Sequence, residues 1–210
     1  MKLWTFQTTD IAEMLRSGHD YVCNPQLSDL LYDKEDPEYA KMFIRGYDFI
    51  SHHLNNVSLK PDGITYPVWS WYSTYECDAE HVISEFQEGY KDNKENVVLI
   101  ELEVPDNEVL LSNFANFHDV LNNHTSENNA YFLQVCNKYN CDEYEDEYGQ
   151  LWCESHWKEA FKLMDNATEE EKQSSWDKYV IEDIDYNVDF IQACFWKISP
   201  EYVVGYYNIA

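Results

Sequence analysis

Two tryptophans stand two residues apart in a run typical of a β-strand, Pro-Val-Trp-Ser-Trp-Tyr-Ser-Thr from Pro67 to Thr74. Side chains at this spacing point to the same face of a strand, so Trp69 and Trp71 would form one flat aromatic surface. Such a surface can stack a nucleobase or a nicotinamide ring. Packing in a hydrophobic core is the commoner use of a tryptophan pair, and the sequence leaves both interpretations open.

Two carboxylates have the spacing that acid–base chemistry requires. Glu101 and Glu103 follow the apolar run Val97 to Ile100 and share one face of the strand that this run predicts. They could act as a general acid and a general base if they lined a pocket. Carboxylates at a sheet edge that face water are the commoner case. No Ser/His/Asp arrangement is apparent, and Cys194 has no histidine partner, so nothing indicates nucleophilic catalysis.

Three cysteines and a histidine have residue types that bind zinc. Cys136, Cys141, Cys153 and His156 are separated by four, eleven and two residues. Thiolates and an imidazole are suitable zinc ligands, and the last pair could share one helical face. The alternative is that Cys153 is an ordinary buried helix residue, since it continues an apolar stripe with Trp157, Ala160, Phe161 and Met164.

An acidic run lies between these cysteines. It lacks the alternating ligands and the glycine of a calcium-binding EF-hand loop, so we interpret it as a solvated loop. If the protein imitates nucleic-acid phosphates, a basic partner would contact this run. Its acidic residues are Asp142, Glu143, Glu145, Asp146 and Glu147.

The charge balance restricts the partners. The 210 residues include 40 Asp and Glu but only 14 Lys and Arg, a formal charge of −26. Such a surface repels nucleic acid and anionic membranes, so direct contact with either is not expected. A basic protein could bind it, or the charge could serve solubility alone. No export signal and no apolar segment of membrane-spanning length is apparent, which predicts a cytoplasmic protein with reduced cysteines.

The periodicity of apolar residues predicts strands separated by helices at irregular intervals. We expect an α+β fold, with one mixed or antiparallel sheet and helices packed around it. The chain fits a single domain, 1–210, with a helical and acidic insertion at 127–165. The predicted strands are Leu3 to Gln7, Pro67 to Thr74, Val97 to Leu111 (a central strand, a turn and a second strand), Phe190 to Ile198 and Tyr202 to Tyr207.

Helix starts are predicted from capping residues. Asp10 with Glu13, and Thr168 with Glu171, have the spacing of a capping box. Asp36 followed by Pro37 also indicates a helix start. Within the insertion we predict a helix from Gln150 to Met164, and we place the charged segment 81–96 on the surface.

Several segments together resemble a bacterial family of unknown function. They are Met1 to Gln7, Tyr66 to Tyr72, Val98 to Phe114, Ser175-Trp176-Asp177 and Ile191 to Trp196. Members of that family open with Leu-Trp-Thr-x-Gln and carry Gln-Ala-x-x-Trp near the end. The resemblance spans most of the chain except about 127–165, and it implies a fold relationship rather than a role.

A weaker resemblance concerns the order of the strands, which is similar to that of ADP-ribosyltransferase-like proteins of the DNA-modifying toxin type. Their late Gln-Ala-Glu stretch, which carries the catalytic glutamate, matches Gln192, Ala193 and Cys194 here. A cysteine cannot replace that carboxylate. The resemblance therefore implies a pocket that binds a nucleotide such as NAD, without turnover or with another acid such as Glu101. The expected pocket residues are Thr5, Gln7, Trp69, Trp71 and Gln192.

Overall fold

The computed structural model describes residues 1–27, 31, 37–72, 79–90, 96–125, 128–140, 144–145, 151–152, 156–181 and 190–209. The chain divides into two compact units. The first comprises Met1–Ala115 and Val180–Ala210, and the second is Asn116–Tyr179. The single domain with an insertion at 127–165 stays a prediction.

The described elements alternate between strands and helices. The strands are β1 (Lys2–Thr8), β2 (Tyr21–Val22), β3 (Val68–Tyr72), β4 (Val97–Glu103), β5 (Leu110–Asn113), β6 (Tyr144–Glu145), β7 (Leu151–Trp152), β8 (Val180–Ile181), β9 (Ile191–Phe195), β10 (Lys197–Ile198) and β11 (Val203–Asn208). The helices are α1 (Thr9–Arg16), α2 (Pro37–Val57), α3 (Ala79–Phe86), α4 (Phe114–Asn122), α5 (Asn128–Tyr139), α6 (Trp157–Asp165) and α7 (Glu169–Trp176).

Seven of these strands form one sheet in the first unit, in the order β11-β4-β1-β3-β9-β5-β8. Every neighbouring pair is antiparallel. The structure confirms the α+β class with an antiparallel sheet. The predicted central strand, β4, lies next to the edge strand β11. The next strand of this sheet in the chain, β5, is separated from β4 by β1, β3 and β9. The two are therefore not a hairpin.

The alternation of side chains gives the sheet two apolar faces. Ile100 and Leu102 point to one face, where they pack with Ala12 and Leu15 of α1. We call this the Leu3 face, because Leu3 belongs to the same cluster. Trp4 and Leu99 point to the opposite face, the Trp4 face, where Ala79 and Val82 of α3 pack. Segment 81–96, predicted to lie on the surface, thus contributes Val82 to the core.

Two of the three predicted helix starts are confirmed. Helix α2 begins at Pro37, and Thr168 with Glu171 forms the expected capping box before α7. The third is wrong, because the cap of α1 is Thr8, whose hydroxyl accepts a hydrogen bond from the Ile11 amide. Thr8 and Asp10 are both capping residue types, and the sequence does not show that β1 continues to Thr8.

In the second unit, α5 and α6 pack through Phe132, Val135, Ala160 and Met164. Helix α6 begins at Trp157, so the predicted helix from Gln150 starts too early, because Leu151–Trp152 pairs with Tyr144–Glu145 as a short strand. Among the described residues, no helix is long and apolar enough to cross a membrane.

Candidate functional site

The strand register divides the five expected ligand-contacting residues between the two faces of the sheet. Trp4 of β1 is paired with Trp71 of β3, and Trp71 is paired with Gln192 of β9, so all three share the Trp4 face. Trp69, two residues from Trp71, lies on this face as well. Thr5 and Gln7 alternate with Trp4 and therefore point to the Leu3 face. The five residues do not line one pocket.

Thr5 bonds to a neighbouring strand, and Gln7 bonds to Thr5 within β1. The hydroxyl of Thr5, which is buried, donates to the backbone oxygen of Trp69 at 2.9 Å. The side-chain nitrogen of Gln7 donates to the same hydroxyl at 2.9 Å. These bonds satisfy the buried Thr5 hydroxyl, which would otherwise lack a partner.

Trp69 packs inside the first unit. Its ring lies edge-on to that of Tyr47 of α2, with centroids 5.4 Å apart. On the other side of its strand it is paired with Cys194, which is fully buried. Trp69 is half-buried, and its ring packs against α2.

Trp71 has different surroundings, because it lies against two phenylalanines near the end of the sheet. Its ring is edge-on to Phe114 at 5.0 Å and to Phe190 at 6.4 Å between centroids. Trp71 is half-buried, whereas 46% of Phe190 is exposed. With Ser112 and Gln192, these rings form what we call the aromatic site. It presents partly exposed rings beside a polar amide.

Phe190 is held in a backbone conformation that a bulky residue rarely adopts. Its φ angle is +57°, in the left-handed region. Its carbonyl accepts a hydrogen bond from the Phe114 amide at 3.1 Å, which ties it to the start of α4. Such a conformation costs about 1–3 kcal/mol and is frequent at ligand sites. The backbone from which this ring projects is therefore held by the contact with α4.

The amide of Gln192 is the polar group of the aromatic site. Gln192 is 7% exposed, and its side-chain oxygen accepts from the hydroxyl of Ser112, which is completely buried, at 3.4 Å. No described residue accepts a hydrogen bond from its side-chain nitrogen. This nitrogen can donate to a ligand, because an amide has two donor hydrogens and an oxygen with two acceptor positions.

Glu101 lies on the Trp4 face two strands from Trp71, with Trp4 between them. It already has two partners, since Lys2 lies 2.9 Å away and the Tyr207 hydroxyl donates at 2.6 Å. Partial burial opposes ionisation, but the Tyr207 hydrogen bond and the Lys2 ammonium outweigh it and lower the pKa of Glu101. A carboxylate ionised and paired in this way is a poor general acid.

Cys194 stands where the resembled transferases have their catalytic glutamate. It is fully buried, and burial raises the pKa of its thiol well above the usual value. A neutral thiol enclosed in the core has no access to a substrate and is a weak nucleophile.

Two of the four expected zinc ligands, Cys136 and His156, lie in the described residues. Cys136 is buried in the α5–α6 core, and the ring of His156 is stacked on Tyr139 at 3.9 Å between centroids. Cys141 and Cys153 lie outside the described residues. Within the described ranges, no group of three or more His, Cys, Asp or Glu side chains could hold a metal ion. The zinc site stays a prediction.

The acidic run also falls mostly outside the described residues. This applies to Asp142, Glu143, Asp146 and Glu147, whereas Glu145 lies on β6, opposite Leu151. Binding of a basic partner at this run stays a prediction.

Three residues of the aromatic site were missed by sequence reasoning: Ser112, Phe114 and Phe190. The only sequence signal was that Phe190 and Gln192 stand two residues apart on a predicted strand. Nothing in the sequence indicated that β5 would lie beside β9 and bring Ser112 and Phe114 to them.

Comparison with known families extends over nearly the whole chain. Residues 2–204 match the model of a domain of unknown function, DUF3841. The chain belongs to this family. The predicted relationship to a family of unknown function is thereby confirmed. No curated protein and no solved structure matches, so the similarity to ADP-ribosyltransferases has no support from these comparisons.

Proposed function

We propose that the aromatic site binds the planar ring of a nucleotide, such as a nucleobase or the nicotinamide of NAD. The observation that carries this proposal is the pairing of a half-buried Trp71 with the amide of Gln192, beside the exposed ring of Phe190. Aromatic faces stack on any base, and one such contact contributes about 1–3 kcal/mol in nucleic-acid complexes.

The amide supports a ring that carries its own hydrogen-bonding groups. Gln192 has a donor available, and a base edge or a nicotinamide carboxamide offers an acceptor in the ring plane. An apolar aromatic molecule would leave this donor without a partner, which costs about 1–3 kcal/mol. The site therefore favours a heterocycle or an aromatic amide.

Binding without turnover fits the neighbouring groups better than catalysis. Glu101 is engaged by Lys2 and Tyr207, and Cys194 is enclosed in the core. Neither is available to stabilise the positive ribose centre that forms when nicotinamide leaves. We therefore assign the site a binding role.

Thermal shift and isothermal titration calorimetry with NAD, ATP and nicotinamide test the proposal. We expect at least one of these ligands to raise the melting temperature, and Gln192→Ala to weaken its binding about tenfold, the effect of losing one hydrogen bond to a buried amide. Trp157→Ala, which changes an exposed tryptophan of the second unit, is the control and leaves binding unchanged. Failure of all three ligands to bind would contradict the proposal.

Phe190→Gly separates binding from stability. Glycine adopts positive φ readily, so this change relieves backbone strain and keeps or raises the melting temperature. It also removes the exposed ring, so it should weaken nucleotide binding. Unchanged nucleotide binding in Phe190→Gly would show that the ring has no role in the site.

We also propose a second function, as an acidic interaction protein for a basic partner, on the basis of the formal charge of −26. Such a partner would be a nucleic-acid enzyme whose basic groove accepts this surface in place of phosphates. Under this function no nucleotide changes the melting temperature. Binding to the partner would weaken steeply with salt and on substitution of Glu143, Glu145 and Glu147 by glutamine.

A further inference from the structure

A cavity lies in the first unit, between the end of α2 and the strands β5 and β8. Its volume is about 440 Å³, within the range of small-molecule sites. None of its lining residues belongs to the aromatic site. It therefore offers space for a different ligand.

The walls of this cavity are aliphatic. Val109, Leu110 and Leu111 line it and are buried. Val180 and Ile181 of β8 are half-buried, and Val57 of α2 is 44% exposed. The imidazole of His53, which packs against Phe49, is the one aromatic ring among these lining residues. These walls match a flexible aliphatic chain.

The polar lining groups are on α2 and in the segment before β5. Asn56 is exposed and makes no hydrogen bond to the described residues through its side chain. His53 lies against Phe49 at 4.6 Å between ring centroids, and Asp106 carries a carboxylate that is 79% exposed. Asn56 can thus both donate to and accept from a ligand.

The charges select the head group of such a ligand. Met1 and Asp106 both line the cavity and their charges offset each other, so a carboxylate gains no net attraction there and is disfavoured by the formal charge of −26. Asp106 is already paired with the Met1 amine at 2.9 Å, so an ammonium head would compete with an existing cation. An uncharged amide or hydroxyl meets neither obstacle.

We infer that this cavity binds a small aliphatic molecule with one uncharged hydrogen-bonding group, such as a fatty amide or alcohol. The aliphatic chain contacts Val57, Leu111 and Ile181, and the head group bonds to the Asn56 amide. This site is independent of the aromatic site and of the nucleotide proposed there.

The inference is tested by titrating the whole protein with hexanamide, hexanoate and hexylamine. Saturation-transfer NMR and calorimetry measure the binding of each probe. We expect hexanamide to bind about tenfold more tightly than either charged analogue, and Asn56→Ala to remove most of this preference. Equal affinity for all three probes, or no binding of hexanamide, would overturn the inference.

Two tryptophan substitutions locate the binding. Val57→Trp fills the cavity from its rim and should abolish hexanamide binding. Leu59→Trp is the matched control, because Leu59 is 83% exposed and does not line the cavity. Both variants should melt near the wild-type temperature. Retained binding in Val57→Trp, or equal loss in both variants, would contradict the assignment.

Competition separates this inference from the proposed function. A nucleotide at the aromatic site should not displace hexanamide, and Gln192→Ala should leave hexanamide binding intact. Displacement by a nucleotide, or loss of hexanamide binding in Gln192→Ala, would place the two ligands in one site and overturn the claim of independence.

Discussion

At the scale of single residues, Glu101 illustrates how surroundings decide what a carboxylate can do. Its position on a strand, two residues before Glu103, suggested acid–base chemistry. Lys2 and the Tyr207 hydroxyl instead hold it as an anion. Lys2 lies on β1 and Tyr207 on β11, the two strands beside β4. The contacts with these two residues give Glu101 a stabilising role in place of a catalytic one.

We predict that Glu101→Gln destabilises the protein at neutral pH and that the difference from wild type disappears in acid. The folded-state pKa of Glu101 lies below the ordinary value of 4.5. Its stabilising contribution is therefore complete above that value and is lost as the pH falls through the lowered pKa. Urea unfolding of both proteins at about pH 7 and about pH 3 measures this difference.

Glu103→Gln is the matched control for this prediction. Glu103 lies on the same strand and face but is exposed. Its substitution should change the free energy of unfolding little at either pH. A loss in Glu103→Gln as large as in Glu101→Gln would mean that general charge, and not the Lys2–Tyr207 contacts, sets the effect.

The same dependence on distant neighbours limits what the sequence reveals about the aromatic site. Trp71 and Gln192 were expected to contact a ligand, and they are brought together as directly opposed residues. Thr5 and Gln7 were assigned to the same pocket although their alternation with Trp4 places them on the other face. Phe190 was missed because a positive φ at a phenylalanine has no local sequence signal.

At the scale of elements, the periodicity of apolar residues predicted where strands occur in the chain. It did not predict which strands are neighbours in the sheet. The alternation along β4 gave the strand and its faces, because Val98, Ile100 and Leu102 form a wholly apolar face. The neighbours of β5 could not be derived, since an antiparallel pair between β5 and β9 joins residues about eighty positions apart. The aromatic site depends on that pair, because β5 supplies Ser112 and leads into Phe114.

The edge strand β11 contains a glycine whose missing side chain makes room for a ring. Gly205 is paired with Glu101, and the Tyr207 ring folds over it to reach that carboxylate. A Cβ atom at position 205 would lie 3.0 Å from both Cε2 and the hydroxyl oxygen of Tyr207. At this distance the ring must shift by a few tenths of an ångström, which disturbs its hydrogen bond to Glu101.

We predict that Gly205→Ala lowers the free energy of unfolding by about 1–2 kcal/mol, the usual cost of overpacking. In a Tyr207→Ala background the same change should be neutral or stabilising, since alanine restricts the unfolded chain more than glycine. A double-mutant cycle by urea unfolding measures the coupling. Equal costs in both backgrounds would show that the strand backbone, and not the Tyr207 ring, requires glycine.

At the scale of the whole molecule, the excess of carboxylates is the dominant feature. Forty acidic residues face fourteen basic ones, so most carboxylates have no basic partner available. Mutual repulsion favours expanded states, in which the charges are farther apart. The charge excess therefore reduces stability unless salt screens it.

We predict that the melting temperature rises by several degrees between about 0.02 and about 0.5 M NaCl, because the screening length falls well below the spacing of surface charges. Differential scanning calorimetry measures the rise. A variant with Glu80, Glu88 and Glu170 changed to glutamine is the comparison, since all three are exposed in the structure. It should start from a higher melting temperature at low salt and gain less from NaCl. A melting temperature that falls with salt would mean that local pairs, such as Lys2 with Glu101, outweigh the repulsion.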